Sequence, residues 1–202
     1  MKEILLGRKK INTFSKPYVI AEIGVNHGGS LTLAKKMIRL AKKGGADAAK
    51  FQSYKAETLA SKQSPSYWDI KKEKTRSQFE LFKKYDVFSK IDYIKLAKYA
   101  KKINIDFIST PFDDEAVEYL NPLVPFFKIS SSDITNIPLL KKIANKRKPV
   151  VLSTGASSID EIKNALKILN KKVKSKVVLM HCILNYPTKN KNANLRMIKG
   201  LK

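Results

Sequence analysis

Residues 18–30, YVIAEIGVNHGGS, and residues 48–54, AAKFQSY, are the two stretches that decide the fold of this chain. Each is a short apolar run of the kind that forms a buried parallel strand. Each also carries polar side chains near its C-terminal end: Glu22 in the first, and Lys50 and Gln52 in the second. Buried strands that end in charged and amide groups indicate a functional site at that end of the sheet.

The composition indicates a globular protein with one sizeable core. The chain has 202 residues, of which 43% are hydrophobic, an ordinary fraction for a single domain. It has no apolar run of about 18 residues, and its first residues lack the pattern of a signal peptide. A single cysteine, Cys182, cannot form an internal disulfide, which agrees with a reducing compartment. We therefore expect a cytoplasmic protein that does not bind membranes.

The net charge of +24 is the extreme feature of the composition. A basic surface of this size can indicate nucleic-acid binding. However, the lysines are spread over almost every predicted helix and are not collected into one patch with interleaved aromatic residues, so we expect no nucleic-acid partner. A positive field also favours an anionic substrate, although it does not identify one.

Predicted strands and helices alternate along most of the chain. Residues 1–16 are expected to form an extended or two-stranded N-terminal segment that turns at Gly7, and residues 17–202 form the main domain. Short apolar runs predict six strands, at residues 18–23, 47–53, 106–110, 126–130, 150–153 and 177–182. Periodicity and capping residues predict the helices 31–43, 75–85, 89–102, 114–119, 138–146, 158–170 and 194–201. Such alternation predicts parallel strands covered by helices on both faces.

Two architectures contain such a sheet: an open doubly wound sheet and an eight-stranded (β/α) barrel. An open sheet concentrates its ligand groups at one crevice, whereas a barrel gathers them from the C-terminal ends of many strands. Nearly every predicted strand ends in polar residues, which favours the barrel: Glu22, Lys50, Gln52, Ser109, Thr110, Lys128, Ser130, Ser131, Ser132, Ser153, Thr154, His181 and Asn185. A complete barrel has eight units in about 250 residues. We therefore expect an α/β, TIM-type (β/α) barrel that is truncated after six strand-helix units.

Lys50 and Lys128 are the strongest chemical signals. Side chains two apart on a strand share a face, so Lys50 lies with Gln52, and Lys128 lies with Ser130. If these faces point into a barrel, two ammonium groups lie in a largely enclosed space, where an unpaired charge is costly. The sequence therefore predicts an anion beside them. The alternatives are an internal carboxylate as the partner of each lysine, or a position at the solvent-exposed rim.

Other polar residues have both a functional and a structural interpretation. Glu22, a carboxylate in an apolar strand, either takes part in the chemistry or pairs with one of the lysines. His27 either contacts substrate or fixes the first loop. His181 is interpreted as a packing or hydrogen-bonding residue, because beyond its neighbour Cys182 no further Cys or His completes a metal site with it.

Two tripeptides, Ser109-Thr110-Pro111 and Ser153-Thr154-Gly155, end predicted strands with hydroxyl groups and a tight turn. The second leads into a helix whose N-terminal amides are suited to hold a phosphate. Helix capping is the more common reason for such residues, so neither tripeptide identifies a ligand by itself.

Six motifs together carry a resemblance to a known family: AEIGVNHGGS (21–30), GADAAKFQSY (45–54), FISTPFDDEAV (107–117), FFKISSSDITNIPLL (126–140), PVVLSTGAS (149–157) and HCILNYPT (181–188). In order and spacing they resemble the sialic acid synthase family, which comprises the N-acetylneuraminate synthases and their legionaminate and pseudaminate relatives. The resemblance covers residues 17–202.

The resemblance implies a barrel enzyme, a carbon-carbon bond-forming transferase. Such an enzyme condenses phosphoenolpyruvate with an N-acetylated amino sugar, N-acetylmannosamine or a related hexose, and releases phosphate. The product is a nine-carbon sialic-acid-like keto sugar for surface carbohydrate. The residues that the resemblance implies to bind phosphoenolpyruvate are Lys50, Lys128, Thr110 and Ser131. Those that it implies to face the sugar are Glu22, Gln52 and Tyr186, and Glu22, Lys50 and Lys128 are the implied catalytic residues.

The resemblance also implies a divalent metal, Mn or Mg, that polarises the sugar aldehyde. The family binds this metal through histidines on strands seven and eight, in motifs of the type SDHT and RHF, and neither motif occurs in this sequence. The family's C-terminal antifreeze-like domain, which covers the neighbouring active site in a homodimer, is also missing. The alternative to the family activity is therefore a catalytically incomplete fragment that binds anions without turnover.

Overall fold

The computed structural model of this chain describes residues 3–173, 176–185 and 187–201. The chain divides into two compact units, Pro17–Val124, and Met1–Lys16 together with Pro125–Lys202. In each unit the main sheet is parallel, and its strands alternate with helices along the chain. This confirms the predicted α/β class. The TIM-type barrel truncated after six units stays a prediction.

The elements in chain order begin with an antiparallel hairpin of β1 (Ile4–Leu6) and β2 (Lys9–Ile11). The unit Pro17–Val124 contains β3 (Ile20–Gly24), α1 (Leu31–Lys43), β4 (Ala48–Ser53), α2 (Ala56–Leu59), α3 (Gln78–Tyr85), α4 (Lys90–Lys102), β5 (Asp106–Pro111) and α5 (Asp114–Leu120). The other unit continues with β6 (Phe127–Ile129), α6 (Ile137–Asn145), β7 (Val150–Ser153), α7 (Ile159–Val173), β8 (Val177–Met180) and α8 (Met197–Gly200). Within the described ranges, none of the helices is both long and apolar enough to cross a membrane.

Several helices begin where the sequence places a capping residue. Ser89 and Asp92 form a reciprocal capping box at the start of α4. Pro138 lies in the first turn of α6, where its missing N–H leaves no hydrogen bond unmade. At the start of α7, the Ser158 hydroxyl accepts from the Glu161 N–H, and the Ser158 N–H donates to the Glu161 carboxylate. Each such cap stabilises its helix by about 1 kcal/mol.

The sheet of the unit Pro17–Val124 has the order β3-β4-β5, with β4 in the middle. Its register places Glu22 beside Lys50 and Gln52 beside Thr110. The pairing of β3 with β4 shifts by one residue between Glu22 and Gly24, which forms a bulge. The sheet thus collects four of the predicted site residues near the C-terminal ends of three adjacent strands.

The core of this unit lies between the sheet and its helices. Phe51 is fully buried, and its ring centroid lies 5.6 Å from that of Phe107 on the next strand. Ile38 of α1 and Leu96 of α4 are also fully buried, and the two helices pack against each other. Side chains alternate along a strand, so the apolar face of β4 carries Phe51 while the opposite face carries Lys50.

The sheet of the other unit has the order β6-β7-β8. All four residues of β7 are buried, whereas the residues of β8 are half-buried or exposed. Helices α6 and α7 pack on each other through apolar faces that include the fully buried Leu140 and Leu169. This arrangement places the C-terminal end of β7, with its hydroxyl residues, beside the end of β6.

Helix α2 is the element that the sequence did not predict. Between the predicted strand 47–53 and the predicted helix 89–102, the sequence predicts one helix, 75–85, and α3 is that helix. At α2, the Asp86 carboxylate accepts from the Lys55 ammonium and from the Ala56 N–H. The group that caps α2 therefore lies 30 residues further along the chain, where no local pattern reveals it. The predicted C-terminal helix 194–201 is shorter in the structure, at Met197–Gly200.

Two adjacent glycines in the loop between β3 and α1 allow a matched test of packing. Gly28 and Gly29 both have positive φ, +52° and +81°. A Cβ at Gly28 would meet nothing within 4 Å, whereas one at Gly29 would lie 2.7 Å from Val87 Cγ2. We expect Gly28→Ala to destabilise the fold by about 1 kcal/mol through backbone strain, and Gly29→Ala by about 2 to 3 kcal/mol through strain and overlap.

Urea denaturation measures both variants. In a Val87→Ala background, Gly28→Ala and Gly29→Ala should lower the free energy of unfolding by more similar amounts. The reason is that Val87→Ala removes the methyl group that a Cβ at residue 29 meets. Equal losses for Gly28→Ala and Gly29→Ala would contradict the packing argument.

Candidate functional site

Lys50 is the centre of the site in the unit Pro17–Val124. Its ammonium nitrogen lies 2.5 Å from Glu22 Oε2 and donates to Thr110 Oγ1 at 3.3 Å. The Lys50 side chain is 9% exposed, whereas that of Glu22 is 53% exposed. An ammonium group has three N–H donors. These two partners in the described part of the chain leave one donor for a ligand.

The structure brings Glu22, Lys50, Gln52 and Thr110 together, as the strand-end pattern predicted. It also shows that Lys50 has an internal carboxylate partner, which is one of the alternatives considered for an enclosed lysine. Glu22 is that partner, and its half-exposed carboxylate remains open to solvent. A ligand anion at Lys50 would therefore lie next to a carboxylate, so its binding requires further donors besides this lysine.

The backbone of Gln52 is fixed by a hydrogen bond from a neighbouring helix. Its carbonyl accepts from the Tyr93 hydroxyl at 2.7 Å, which joins the end of β4 to helix α4. A Cβ added at Gly24 would lie 3.4 Å from Glu22 Oε1 and 4.0 Å from Gln52 Nε2. The small residue at the end of β3 therefore leaves room for two polar side chains.

His27 fixes the first loop. It is 3% exposed, its ring stacks on Phe88 with centroids 4.1 Å apart, and its Nδ1 accepts from the Gly29 N–H at 3.1 Å. The ring also lies 5.8 Å from that of Phe51, on the apolar face of the sheet. Of the two interpretations of His27, the structure supports the one in which this residue holds the turn.

Burial lowers the pKa of His27 below its usual value of 6.5. As the pH falls below 6.5, the unfolded chain binds a proton at this site before the folded chain does. The free energy of unfolding should therefore decrease from pH 6.5 downward, until the pKa of the folded state is passed. Above pH 6.5, His27 is neutral in both the folded and the unfolded chain, so it no longer makes the free energy of unfolding depend on pH.

His27→Gln should reduce this slope of the free energy of unfolding between pH 7.5 and 5.5, measured by urea denaturation at each pH. Glutamine keeps an acceptor for Gly29 but does not titrate. His181→Gln is the matched control, because it removes the chain's other histidine. If the free energy of unfolding of His27→Gln fell with decreasing pH as steeply as that of the wild type, His27 would not be the cause of this pH dependence.

Lys128 is the centre of the polar cluster in the other unit. It is 7% exposed, and its ammonium nitrogen donates to Ser153 Oγ at 2.6 Å and to the Ile129 carbonyl at 2.8 Å. Strand β6 positions the lysine, and the neighbouring β7 supplies the serine. The ammonium group is thus held in place by polar groups at the C-terminal ends of two adjacent strands.

Ser131 lies in the same cluster. Its Oγ accepts from the Gly155 N–H at 2.9 Å, which joins the turn after β6 to the turn after β7. A Cβ at Gly155 would lie 3.0 Å from this oxygen. Thr154 Oγ1 donates to the Met180 carbonyl at 2.9 Å, so this hydroxyl serves the structure of the turn. Within the Ser153-Thr154-Gly155 tripeptide, the Ser153 hydroxyl contacts the predicted lysine.

The sequence did not single out Asp133 and gave only weak weight to Ser153. Asp133 is buried, and burial raises the pKa of its carboxyl group, while hydrogen bonds from Asn136 and Ser132 act in the opposite direction. An acidic residue after three serines was the available signal for Asp133. Its hydrogen-bond partners lie within three residues, so it orders the turn between β6 and α6.

Two other predicted residues lie near the end of the described chain. Tyr186 lies outside the described residues. The His181 Nε2 lies 2.7 Å from the Ala193 carbonyl, which agrees with its interpretation as a hydrogen-bonding residue. Among residues 3–173, 176–185 and 187–201, no group of three or more His, Cys, Asp or Glu side chains is placed to hold a metal ion.

Comparisons with known proteins point to one family. The sequence model of the NeuB family matches residues 37–202. The N,N'-diacetyllegionaminic acid synthase of Campylobacter jejuni is 42% identical over 192 residues, 93% of this chain and 57% of that protein. The N-acetylneuraminate-9-phosphate synthase of Homo sapiens is 38% identical over 182 residues, 90% of this chain and 50% of that protein.

A solved structure is similar over almost the whole chain. It is the N-acetylneuraminic acid synthetase from Leptospira borgpetersenii in complex with citrate, with a TM-score of 0.87 and 38% identity, covering 99% of this chain and 66% of that one. The chain described here spans about half the length of the curated relatives it matches.

Proposed function

Because the chain belongs to the NeuB family, we propose that it provides the phosphoenolpyruvate-binding residues and part of the amino-sugar pocket of a sialic-acid-synthase-type enzyme. The reaction is the condensation of phosphoenolpyruvate with N-acetylmannosamine or a related N-acetylated hexosamine. The fold of the complete enzyme is a TIM-type (β/α) barrel. The observation that carries the proposal is the buried Lys50 ammonium, held by Glu22 and Thr110, with no third partner among the described residues.

Lys50 and Lys128 each supply a positive charge of the kind that an anionic substrate requires. Lys50 and Thr110 provide an ammonium and a hydroxyl from adjacent strands, and Lys128 and Ser131 provide the same pair of groups in the other unit. Because these side chains are anchored by hydrogen bonds before a ligand arrives, little conformational entropy is lost on binding. Anchored charges of this kind also stabilise negative charge that develops during a reaction.

The reaction balances in three steps. C3 of phosphoenolpyruvate forms a bond to the aldehyde carbon of the open-chain sugar, whose oxygen takes up a proton. Water then adds at C2, and the bond between C2 and the phosphate oxygen breaks. The products are a nine-carbon keto acid and inorganic phosphate. Glu22 and Gln52, at the ends of adjacent strands, are the residues proposed to orient the sugar in this sequence.

The family implies a divalent metal, and its donor set is absent from the part of the chain that the structure describes. The described residues contain no group of three His, Cys, Asp or Glu side chains suited to Mn or Mg. The His181 ring nitrogen is already engaged by the Ala193 carbonyl. We therefore assign no step of the reaction to a metal held by this chain.

A second candidate function follows from the same observation. A chain that holds the anion-binding lysines without a metal site is suited to bind phosphoenolpyruvate without turning it over.

One experiment separates the two functions. The purified chain is incubated with phosphoenolpyruvate, N-acetylmannosamine and Mn²⁺, and released phosphate is followed over time. Calorimetry measures phosphoenolpyruvate binding in parallel. Binding with phosphate release supports the synthase, and binding without release supports the incomplete fragment. Absence of phosphoenolpyruvate binding overturns both.

A further inference from the structure

A basic groove lies at the opposite end of the strands from Lys128. It is a cavity of about 460 Å³ lined by Arg147, Lys171, Lys172, Val173 and Lys176. Arg147 follows α6, the two adjacent lysines end α7, and the last lysine precedes β8. The Val150 N–H donates to the Lys176 carbonyl, which places the groove at the N-terminal ends of β7 and β8. Lys128, in contrast, contacts Ser153 at the C-terminal end of β7.

The four cations of this groove have no acidic partner in the part of the chain that the structure describes. None of them takes part in a salt bridge there, and all four side chains belong to exposed residues. The sequence explains this excess of positive charge. Residues 125–202 contain seventeen Lys and Arg residues but only three Asp and Glu residues. By comparison, residues 17–124 contain nineteen and thirteen.

The lysines at the end of α7 also have a structural role, because cations stabilise the C-terminal end of a helix dipole. That dipole is equivalent to about half a negative charge. Four full positive charges exceed the partial charges of the two helix ends, α6 and α7, that lie at the groove. The groove therefore remains strongly positive after this effect is included, and it attracts anions.

We propose that the basic groove binds a small polyphosphate anion, of the class of an inorganic tripolyphosphate or the phosphate chain of a nucleoside triphosphate. Its volume is that of a small-molecule pocket. Arg147 offers a planar fork that pairs with two phosphate oxygens at once, and the lysines add point charges around it. The described lining residues include no aromatic side chain on which a base would stack, so a single-stranded nucleic acid fits the groove less well.

Calorimetric titration of the full chain with sodium tripolyphosphate tests the proposal. Two variants address the groove. Lys171→Gln/Lys172→Gln removes two of its four charges, and we expect it to weaken binding by about tenfold or more. Arg147→Gly removes the guanidinium at a position where φ is +56°, which glycine adopts without strain. This variant should fold at least as well as the wild type in thermal denaturation and still lose about tenfold in affinity.

Lys163→Gln/Lys167→Gln is the matched control, because it removes two lysines from the same helix α7 that do not line the groove. It should bind tripolyphosphate like the wild type, and binding should weaken as salt is raised. Equal losses in the control and the groove variants overturn the proposal, as does a wild-type chain that binds no tripolyphosphate.

Two further outcomes also contradict the proposal. Binding that is lost in Lys128→Met but retained in the groove variants would place the anion at the candidate active site. Tighter binding of a short single-stranded oligonucleotide than of tripolyphosphate, lost in the same groove variants, would assign this surface to nucleic acid.

Discussion

Lys50→Met is expected to weaken phosphoenolpyruvate binding by about 100-fold, and Lys128→Met by a similar factor. A charge-assisted hydrogen bond from a buried ammonium contributes about 1.5 to 3 kcal/mol, and each 1.4 kcal/mol corresponds to tenfold in affinity. Methionine keeps the unbranched shape of lysine but has neither the charge nor the donors. Both lysines are 7% exposed, so solvent screens their charges only weakly.

The loss should appear in the dissociation constant measured by calorimetry, without a matching loss of stability. In Lys50→Met the unpaired Glu22 remains in contact with water, since its side chain is 53% exposed. Lys43→Met is the control, because it replaces an exposed lysine in the last turn of α1. Wild-type affinity in either Lys50→Met or Lys128→Met contradicts the role of that residue.

The double variant tests whether both lysines bind the same molecule. If each ammonium contacts one phosphoenolpyruvate, the two losses should not be additive, and the double-mutant cycle should show a coupling energy of about 0.5 to 3 kcal/mol. Two phosphoenolpyruvate molecules bound per chain in the wild-type titration, with each single variant losing one of them, would indicate two independent anion sites.

Phe51→Ala is expected to destabilise the unit Pro17–Val124 by about 3 to 5 kcal/mol. The ring is fully buried and lies between His27 and Phe107, with centroid distances of 5.8 and 5.6 Å. Its removal therefore takes away apolar burial and leaves a cavity next to the rigid strand β4. Because domains are stable by only about 5 to 15 kcal/mol in total, this loss should lower the urea midpoint substantially.

Phe14→Ala is the matched control for this prediction. The same substitution is made at a phenylalanine that is 82% exposed, and surface changes of this kind usually alter stability by no more than about 0.5 kcal/mol. A loss below about 1 kcal/mol for Phe51→Ala would show that the core between β4 and its helices repacks around the missing ring.

The sequence predicted the strands and most helices because their signals are local. The apolar run around Lys50 and the Pro138 helix start depend on neighbouring residues alone, and the structure confirms both. Helix α2 was missed because Asp86, which caps it, is distant in sequence. Barrel closure depends on contacts between distant strands and stays a prediction.

The site was predictable at the level of residue types and strand ends. Alternation along β4 identified Lys50 and Gln52, and the motifs added Thr110, which the register of β5 places beside them. The sequence did not predict which group pairs with Lys50, because either Glu22 or an external anion can neutralise a buried ammonium. In the structure that partner is Glu22. The role of His27 was not predictable either, because its ring stacks on that of Phe88, which is 61 positions further along the chain.

The close approach of Gly29 and Val87 has a consequence for sequence drift in this family. A side chain at residue 29 overlaps a branched residue at position 87, and a smaller residue at position 87 removes that overlap without removing the strain of a positive φ. Substitutions at the two positions should therefore arise in a fixed order, with position 87 changing first. Ancestral reconstruction along any lineage that has replaced the glycine would reveal that order.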